Sequence, residues 1–435
     1  MNKQLKRTVL IYKIFGKFLF LTLFLSLQVS SLSAQVTIGS DIPPNSGALL
    51  DLKDGGMYTN GETAVKGLGL PRVELTDLNK LIMSGYEILD GTTNEYAKHT
   101  GLVVYNVKRD NCILPKPIYQ GLYVWDGSKW QFMGKEEEPS PKVHIYIDPR
   151  DEEEYPYREF YYMDGDTKVS AGEWMLENLR YVPNSADGYN RYIHTAESSS
   201  VYKHFAYVEG NSDGYYDPTN HPSADWDKYK KNGLFYNWAA AINMGFGIGE
   251  TPNPGDVDQG QGQAAEGPAT PVRGICPPYW HVPSDREWNE LERVIYNNAS
   301  EYSQYKDDGS SPFTPATWDA AWETQISWRG STDAGHGVAM KSECPPYGNT
   351  TVTAGNSLST SQGGFNGLLT GSGAYNALIN YGLKGFYWSS SSVSKYQVWT
   401  RVLLNFNVPI EQSLTGVGRA KNSRGFLLSV RCKKD

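Results

Sequence analysis

Residues 276–288 read CPPYWHVPSDREW and contain the clearest structural signal in the chain. Pro283 stands directly before Ser284, and Glu287 follows three residues after that serine, which is the capping-box pattern of a helix start. Four apolar residues then recur at helical spacing: Trp288, Leu291, Val294 and Ile295. The stretch therefore predicts a helix that begins after Ser284 and packs one apolar face on a core.

Other stretches predict strands and a second helix. Residues 236–242 (YNWAAAI) are Ala-rich and predict a short helix that ends near Gly245. Residues 121–125 and 130–132 flank an Asp-Gly turn, as in a β-hairpin. Further strands are predicted at 101–107, 143–147, 386–388, 396–406 and 425–432.

Residues 1–34 have the layout of a secretory signal peptide. Its apolar run, Phe18–Leu27, is shorter than the ~20 residues that span a bilayer, so we favour a cleaved leader over a membrane anchor. We expect cleavage between Ala34 and Gln35 and no membrane insertion afterwards. Loss of the five basic residues of the leader changes the formal net charge from −8 to −13.

The composition limits the functional class. The 435 residues include 30 Tyr and 12 Trp, an aromatic content untypical of disordered chains. The acidic charge and the lack of a basic stripe argue against nucleic-acid binding. Four cysteines in an oxidising compartment can form disulfides in three pairings. Because their spacing shows no CxxC pair, we expect no metal site, and we expect no cofactor.

Composition also divides the chain behind the leader. Residues 35–133 are predicted to form a β-rich module, and the charged, Pro-containing residues 134–142 (GKEEEPSPK) a linker. Residues 143–435 hold most of the aromatic residues and form the second predicted domain. The acidic run 148–154 near its start is interpreted as a solvated loop.

The second domain resembles the Fibrobacter succinogenes major paralogous domain family, which is found in secreted proteins of Bacteroidota and Fibrobacterota. Six pieces match in order: 173–179 (EWMLENL), 233–241 (GLFYNWAAA), 276–288, 364–368 (GFNGL), 386–391 (FYWSSS) and 429–432 (SVRC). The resemblance implies an α+β, C-type-lectin-like fold with two helices, small antiparallel sheets and a long loop region at 297–384. It also implies a Cys276–Cys432 disulfide, while the pairing of Cys112 and Cys344 stays open.

The N-terminal segment resembles another surface-protein module of Bacteroidota. The pieces that carry this resemblance are short and rich in Gly: 36–39, 48–52, 67–73, 101–106 and 125–130. Modules of this kind commonly precede adhesin-like or fibre-like domains, so this segment is a candidate for oligomerisation.

No residue pattern predicts catalysis. His281 with Asp285 could be a base and its orienting carboxylate, but a structural role beside the helix cap is the better interpretation. The serines at 389–392 lack the Gly-x-Ser-x-Gly elbow of a nucleophile. The calcium-binding triplets of sugar-binding lectins, Glu-Pro-Asn or Gln-Pro-Asp and Trp-Asn-Asp, do not occur. The aromatic residues of the family motifs are predicted to be core, which leaves Tyr-rich stretches at 155–162 and 202–229 as candidate ligand surfaces, with Tyr215, Tyr216 and Trp226 as the named residues.

We therefore expect an exported, non-enzymatic protein that acts in adhesion or ligand recognition. Its expected location is the cell surface, the outer membrane or the medium, with the periplasm still open. The candidate partners are a glycan and a host or cell-surface protein. Two alternatives are a calcium-independent carbohydrate-binding module and a structural subunit of a surface fibre or fimbria.

Overall fold

The computed structural model describes most of residues 36–435. The described residues are 36–45, 47–54, 64–83, 86–87, 93–112, 117–189, 192–195, 197, 203–207, 229–243, 271–305, 318–326, 328–330, 335–353, 355–374, 377–394, 396–405 and 415–435. They fall into a smaller unit, 36–73 with 103–105, and a larger unit, 74–102 with 106–435.

Strands outnumber helices in the described residues, which makes the fold mixed, with few helices, and consistent with an α+β or a mainly β class. The strands are β1 (Val36–Ile38), β2 (Leu50–Leu52), β3 (Arg72–Val73), β4 (Leu75–Asp77), β5 (Ile82–Met83), β6 (Tyr86–Glu87), β7 (Val103–Asn106), β8 (Gly121–Trp125), β9 (Trp130–Phe132), β10 (His144–Ile147), β11 (Glu154–Asp164), β12 (Thr167–Met175), β13 (Tyr192–His194), β14 (Lys203–Tyr207), β15 (Leu234–Asn237), β16 (Trp280–His281), β17 (Trp328–Arg329), β18 (Ser372–Ala374), β19 (Ala377–Ile379), β20 (Lys384–Ser392), β21 (Gln397–Leu404), β22 (Val417–Ser423), β23 (Leu427–Ser429) and β24 (Lys433–Lys434). The α-helices are α1 (Thr93–Lys98), α2 (Trp238–Ala241), α3 (Asp285–Asn297), α4 (Ala299–Tyr302) and α5 (His336–Met340). Four 3-10 helices cover Ser185–Asp187, Lys230–Asn232, Ala320–Glu323 and Thr360–Gln362.

The smaller unit contains a parallel pair of strands, β1 and β2. Its side chains leave much apolar surface in contact with solvent. Large hydrophobic residues that are at least half exposed are Val36, Ile38, Ile42, Leu49, Leu50, Val65 and Leu68. The unit therefore has apolar surface that a partner could cover. Burial of each such side chain would contribute about 1.5–3 kcal/mol to the association.

The larger unit contains two large sheets, the three-stranded sheet β4-β5-β6 and the β8–β9 hairpin. The first large sheet has the strand order β10-β11-β12-β24-β16, and its longest pairing is the antiparallel hairpin of β11 and β12. The second follows the path β13-β14-β15-β23-β20-β21-β22-β17, with β18 joined to β23 and β19 to β18. The predicted β8–β9 hairpin is confirmed, and its turn is closed by Asp126, whose backbone N–H donates to Lys129.

Two apolar clusters form the core of the larger unit. One contains Trp238, Trp280 and Trp388 together with the Cys276–Cys432 disulfide, and the other packs Trp174 against Trp288 of α3. All five tryptophans are fully buried, which confirms that the motif tryptophans are core, whereas Tyr279 of the 276–288 motif is 76% exposed. The Tyr155–Tyr162 stretch, predicted as a ligand surface, is the strand β11. That prediction was wrong for Tyr155 and Tyr162, which the core buries.

Helix α3 follows the prediction. Ser284 is the N-cap, and its Oγ accepts from the Glu287 N–H. In return, the Glu287 carboxylate accepts from the Ser284 N–H. The Ala-rich helix was predicted too long. Tyr236 instead pairs with Leu428 in the second sheet, and Asn237 caps α2 by accepting from the Ala240 N–H.

The acidic run 148–154 is only in part the solvated loop that was predicted, since Asp151, Glu152 and Glu154 are exposed. Asp148 is fully buried against Arg150, and Glu153 pairs with Arg180. Residues 134–142 lie inside the larger unit and form no helix or strand. The predicted division at this linker stays a prediction.

Candidate functional site

The predicted site residues fall into two groups. The cleavage position, Ala34 and Gln35, and the predicted ligand surface at Tyr215, Tyr216 and Trp226 lie outside the described residues. The four cysteines are described: Cys276 is joined to Cys432, and Cys112 to Cys344. Both disulfides fit a protein of an oxidising compartment.

His281 has a structural position beside the helix cap. Its Nε2 lies 2.9 Å from Glu287 Oε1, and its Nδ1 lies 2.8 Å from Asp435 Oδ1. Lys433 Nζ donates to the same Glu287 oxygen at 2.7 Å. Burial would raise the pKa of Glu287, but His281 and Lys433 hold it well below its usual range. The carboxylates bonded to His281 are Glu287 and Asp435, whereas Asp285, proposed as the orienting carboxylate, is bonded to Arg401 and Arg419.

Helix α3 buries a polar face that the apolar periodicity did not reveal. Asp285, Asn289 and Glu292 are spaced i, i+4 and i+7, so they lie on one side of the helix. Three arginines meet them from three strands of the second sheet, and with them they form the α3 charge cluster: Asp285, Asn289, Glu292, Arg329, Arg401 and Arg419. All six side chains are buried.

The hydrogen bonds of the α3 charge cluster connect every carboxylate to more than one donor. Arg401 Nη1 donates to Asp285 Oδ1 at 2.7 Å, and Arg419 Nη2 donates to Asp285 Oδ2 at 2.6 Å. Glu292 accepts from Arg329 and Arg401. Asn289 Oδ1 accepts from Arg329 and Arg401 at 2.6 and 2.8 Å. The cluster therefore ties α3 to β17, β21 and β22.

Electrostatics keep this cluster ionised. Burial would raise the pKa of Glu292, but Arg329 and Arg401 lower it to about 2. Burial lowers the pKa of His336, whose Nε2 lies 3.0 Å from Glu292 Oε2, so we assign it as a neutral donor. Because the six side chains are buried and bonded to one another, the cluster is suited to stabilise the fold; Arg419 also lines a concavity on the second sheet.

One concavity has a volume of about 650 Å³ and is named here the Arg150 cavity. It lies where the acidic run that follows β10 in the sequence contacts the segment that follows β12. Residues from both stretches line it: Arg150, Asp151, Glu153, Arg180, Tyr181 and Asp187. A volume of this size falls within the range of small-ligand sites, about 300–1,000 Å³.

The floor of the Arg150 cavity consists of polar side chains that hydrogen bonds and an ion pair hold in place. The guanidinium of Arg150 lies 3.8 Å from the ring centroid of Tyr181, and Asp148 holds it with a 2.6 Å ion pair. Arg150 Nη1 also donates to Tyr189 Oη at 2.8 Å. Tyr181 Oη donates to Asp187 Oδ2 at 2.6 Å. These bonds leave the floor pre-organised, since each group is already oriented by a partner.

Carboxylates dominate the rim of the Arg150 cavity. Glu153 is bound by Arg180 at 2.6 Å and by Lys230 at 2.9 Å. Asp151 reaches solvent, yet the surrounding protein raises its pKa to about 6, mainly by partial burial and also through the nearby Asp148 charge. The rim therefore offers acceptors at Asp151 and Asp187 to a ligand that donates hydrogen bonds. Sequence reasoning missed this cavity; the Arg150 within the acidic run was the available signal.

A metal has no evident place in the described residues. The one group of three close candidate ligands is Cys112, Glu343 and Cys344. Its two sulfurs form a disulfide and cannot coordinate as thiolates. Within the described part of the chain, no helix has both the length and the apolar character needed to cross a bilayer.

The family model of the Fibrobacter succinogenes major domain matches residues 168–434, more than half of the chain. The chain belongs to this family. All six predicted motif pieces lie inside the matched residues of the major domain. The α3 charge cluster and the Tyr181 and Asp187 side chains of the Arg150 cavity also lie inside them. Residues 37–144 are similar to a phage tail like trimerisation region. Comparison with curated proteins and with solved structures gives no match.

Proposed function

We propose that this protein is an exported, non-enzymatic recognition protein in which the larger unit binds a hydroxyl-rich ligand, such as a glycan, without calcium. The observation that carries the proposal is the Arg150 cavity, which combines a pre-organised aromatic and guanidinium floor with carboxylate acceptors at its rim. Sugar hydroxyls donate to carboxylates, and their C–H faces pack on aromatic and apolar side chains. Tyr192 and Val182 at the same cavity supply such surface.

A glycan array with the purified full chain tests this proposal. Asp151→Asn and Asp187→Asn each remove a charged acceptor, so we expect the affinity for any glycan bound to fall about ten-fold, in line with about 1.5–3 kcal/mol per charge-assisted hydrogen bond. Asp166→Asn is the matched control, because Asp166 is an exposed residue on the turn between β11 and β12. Equal binding by all three variants would refute the cavity as the site.

The pH dependence gives a second test of the same cavity. Because the pKa of Asp151 is about 6, its carboxylate is the main form above that pH and the carboxyl group below it. Binding should therefore weaken as the pH falls from 7 to 5, and Asp151→Asn should remove that dependence. Release of reducing sugar from a bound glycan would overturn the non-enzymatic part of the proposal.

A second candidate function, assembly of several chains through the N-terminal region, is favoured by two observations. The region is similar to a trimerisation region, and the smaller unit exposes a set of large apolar side chains. We propose that the chain forms a homotrimer, which is compatible with an adhesin or with a fibre subunit. The C-type-lectin-like fold and the origin in Bacteroidota rest on the motif resemblance and belong to the same proposal.

Native mass spectrometry of Ile38→Asp tests the assembly. We expect the wild type to be a trimer and Ile38→Asp to be a monomer, because a charge at an apolar contact is strongly unfavourable. Ile147→Asp is the matched control: Ile147 is 57% exposed, Ile38 is 56% exposed, and Ile147 lies in the larger unit. A monomeric wild type would refute the proposal.

A further inference from the structure

The charged groups that line the Arg150 cavity are not equally open to a ligand. The two arginines are buried, since the side chain of Arg150 is 6% exposed and that of Arg180 is 2% exposed. The rim residues Asp151 and Asp187 are exposed. Among the described residues of the lining, the positive groups therefore lie below the surface that a ligand meets, and that surface is negative.

Both arginines are also occupied by acceptors of the protein. Every guanidinium nitrogen of Arg150 and Arg180 donates at least one hydrogen bond. The acceptors are the carboxylates of Asp148, Glu153 and Glu177, the hydroxyl of Tyr189, and the carbonyls of Glu154 and Ile275. An anionic ligand would have to compete with these acceptors, so the two arginines do not favour its binding.

The rim carboxylates, in contrast, keep oxygens that a ligand can use. Asp187 Oδ2 accepts from Tyr181 Oη at 2.6 Å, and Asp151 Oδ1 accepts from the Glu153 N–H at 3.2 Å. The other oxygens, Asp187 Oδ1 and Asp151 Oδ2, accept no hydrogen bond from the described part of the chain. Each carboxylate can therefore accept from a ligand without losing its protein donor.

The Asp151 carboxylate lies towards the 180–181 backbone. Tyr155 Oη accepts from the Arg180 N–H. Tyr236 Oη donates to the Tyr181 carbonyl, so both hydroxyls lie at that backbone. Burial raises the pKa of Tyr155 and of Tyr236, and the charge of Asp151 adds to both increases. The carboxylate is therefore close to the two hydroxyls, on the side where the acidic run contacts the segment that follows β12.

Negative charge is concentrated around Asp151. Partial burial is the main cause of its raised pKa, the Glu153 N–H and Arg150 oppose the rise, and the charges of Asp148 and Glu153 add to it. A cation at this position would relieve the repulsion between the carboxylates. An ammonium group also donates charge-assisted hydrogen bonds, which are stronger than those of a neutral hydroxyl.

We propose that the Arg150 cavity selects saccharides that carry a free amino group, with the ammonium at Asp151 and a ring hydroxyl at Asp187. The proposal rests on the proposed function and names the class of glycan that the site takes. Val182 and the partly exposed Tyr192 supply apolar surface for the sugar ring.

Calorimetric titration of the full chain with oligosaccharides of glucosamine and of N-acetylglucosamine tests the proposal. The two probes differ in the amino group, which is a cation in the first and a neutral amide in the second. The titrations are run at about pH 6.5, above the pKa of Asp151 and below the range of about 7.7–8.0 that is usual for an α-amino group. A chelator keeps divalent cations from joining sugar hydroxyls to carboxylates. We expect the wild type to bind the glucosamine probe at least about ten-fold more tightly.

Variants assign the preference to one carboxylate. Asp151→Asn should remove the preference, because the amide has the shape of the carboxylate but no charge. Asp187→Asn should weaken both probes by a similar factor and keep the preference, since this carboxylate accepts from a hydroxyl. Asp166→Asn removes the same charge from an exposed turn and is the control, which should bind both probes like the wild type.

Three outcomes would overturn the proposal. They are equal affinity for the two probes, a preference that Asp151→Asn retains, and equally tight binding of a lysine-rich peptide, which would show attraction to positive charge alone. If other glycans of the array bind and Asp187→Asn weakens them, the proposed function stands and only the selection for amino groups fails. If no glycan binds, the proposed function fails as well.

Discussion

Replacing Glu292 by Gln tests how much the α3 charge cluster contributes to the stability of the major domain. Glu292 is fully buried and accepts from Arg329, Arg401 and His336, which are themselves buried. Gln keeps the shape but removes the charge and turns one acceptor into a donor that faces other donors. Breaking a buried ion pair from one side costs about 3–5 kcal/mol.

The pKa of Glu292 gives a second route to that magnitude. It is lowered from 4.5 to about 2, which corresponds to about 3 kcal/mol of preference for the ionised form in the folded state. Because the folded pKa lies below the unfolded one, this contribution is complete above pH 4.5 and is lost as the pH falls towards 2. The difference between wild type and Glu292→Gln should therefore shrink below pH 4.5.

Urea unfolding with both disulfides intact measures this effect. At pH 7 we expect Glu292→Gln to lower the free energy of unfolding by about 3–5 kcal/mol. Glu290→Gln is the control on the same helix, because Glu290 pairs only at the surface with Arg286 and should change the free energy by less than about 0.5 kcal/mol. If the two variants unfold at the same urea concentration, the cluster does not hold the helix as we infer.

Three further predictions concern other parts of the major domain. Lys341 is buried and donates to the Leu404 carbonyl, and burial lowers its pKa to about 8. The lysine is therefore charged in both the folded and the unfolded protein below pH 8, and the folded protein loses the proton first as the pH rises. The stability of the wild type relative to Lys341→Met should therefore rise by about 3 kcal/mol between pH 8 and 10.5, and a constant difference in urea midpoint would contradict this. Cys276→Ala with Cys432→Ala opens a bridge that spans 156 residues, which should cost about 5 kcal/mol by loop-closure entropy; an unchanged urea midpoint would count against it. Ser284→Ala removes the N-cap acceptor of α3 and should cost about 1 kcal/mol, seen as a lower thermal midpoint, whereas no change would mean that water replaces the cap.

Local signals predicted the parts of the fold that depend on neighbouring residues. The capping box at Ser284 and Glu287, the Asp126 turn and the apolar face of α3 all act within a few residues, so their sequence pattern determines them. The helix predicted at 236–242 began too early, because its first residues pair with a distant strand, Leu427–Ser429. Ala-rich composition carries no information about that pairing.

The candidate sites depend on contacts that sequence spacing does not encode. Three strands supply the arginines of the cluster, Arg329, Arg401 and Arg419. The sequence around each arginine does not indicate that Asp285 or Glu292 is its partner. The Arg150 cavity joins the acidic run to residues 180–192 in the same way. Acidic runs are usually solvated, so the burial of Asp148 could be recognised only once Arg150 and Tyr181 were placed beside it.

The two disulfides overlap along the chain, since Cys276 lies inside the 112–344 interval and Cys432 lies beyond it. One cut by a protease anywhere between Cys112 and Cys432 would therefore leave the fragments covalently joined until they are reduced. The same overlap sets the mechanical path. A pulling force that enters at the N-terminal side of Cys112 crosses directly to Cys344 and then reaches Cys432 along the backbone or back through Cys276 and the second bridge, so residues 113–275, with the Arg150 cavity among them, are shielded from extension while both bridges are intact.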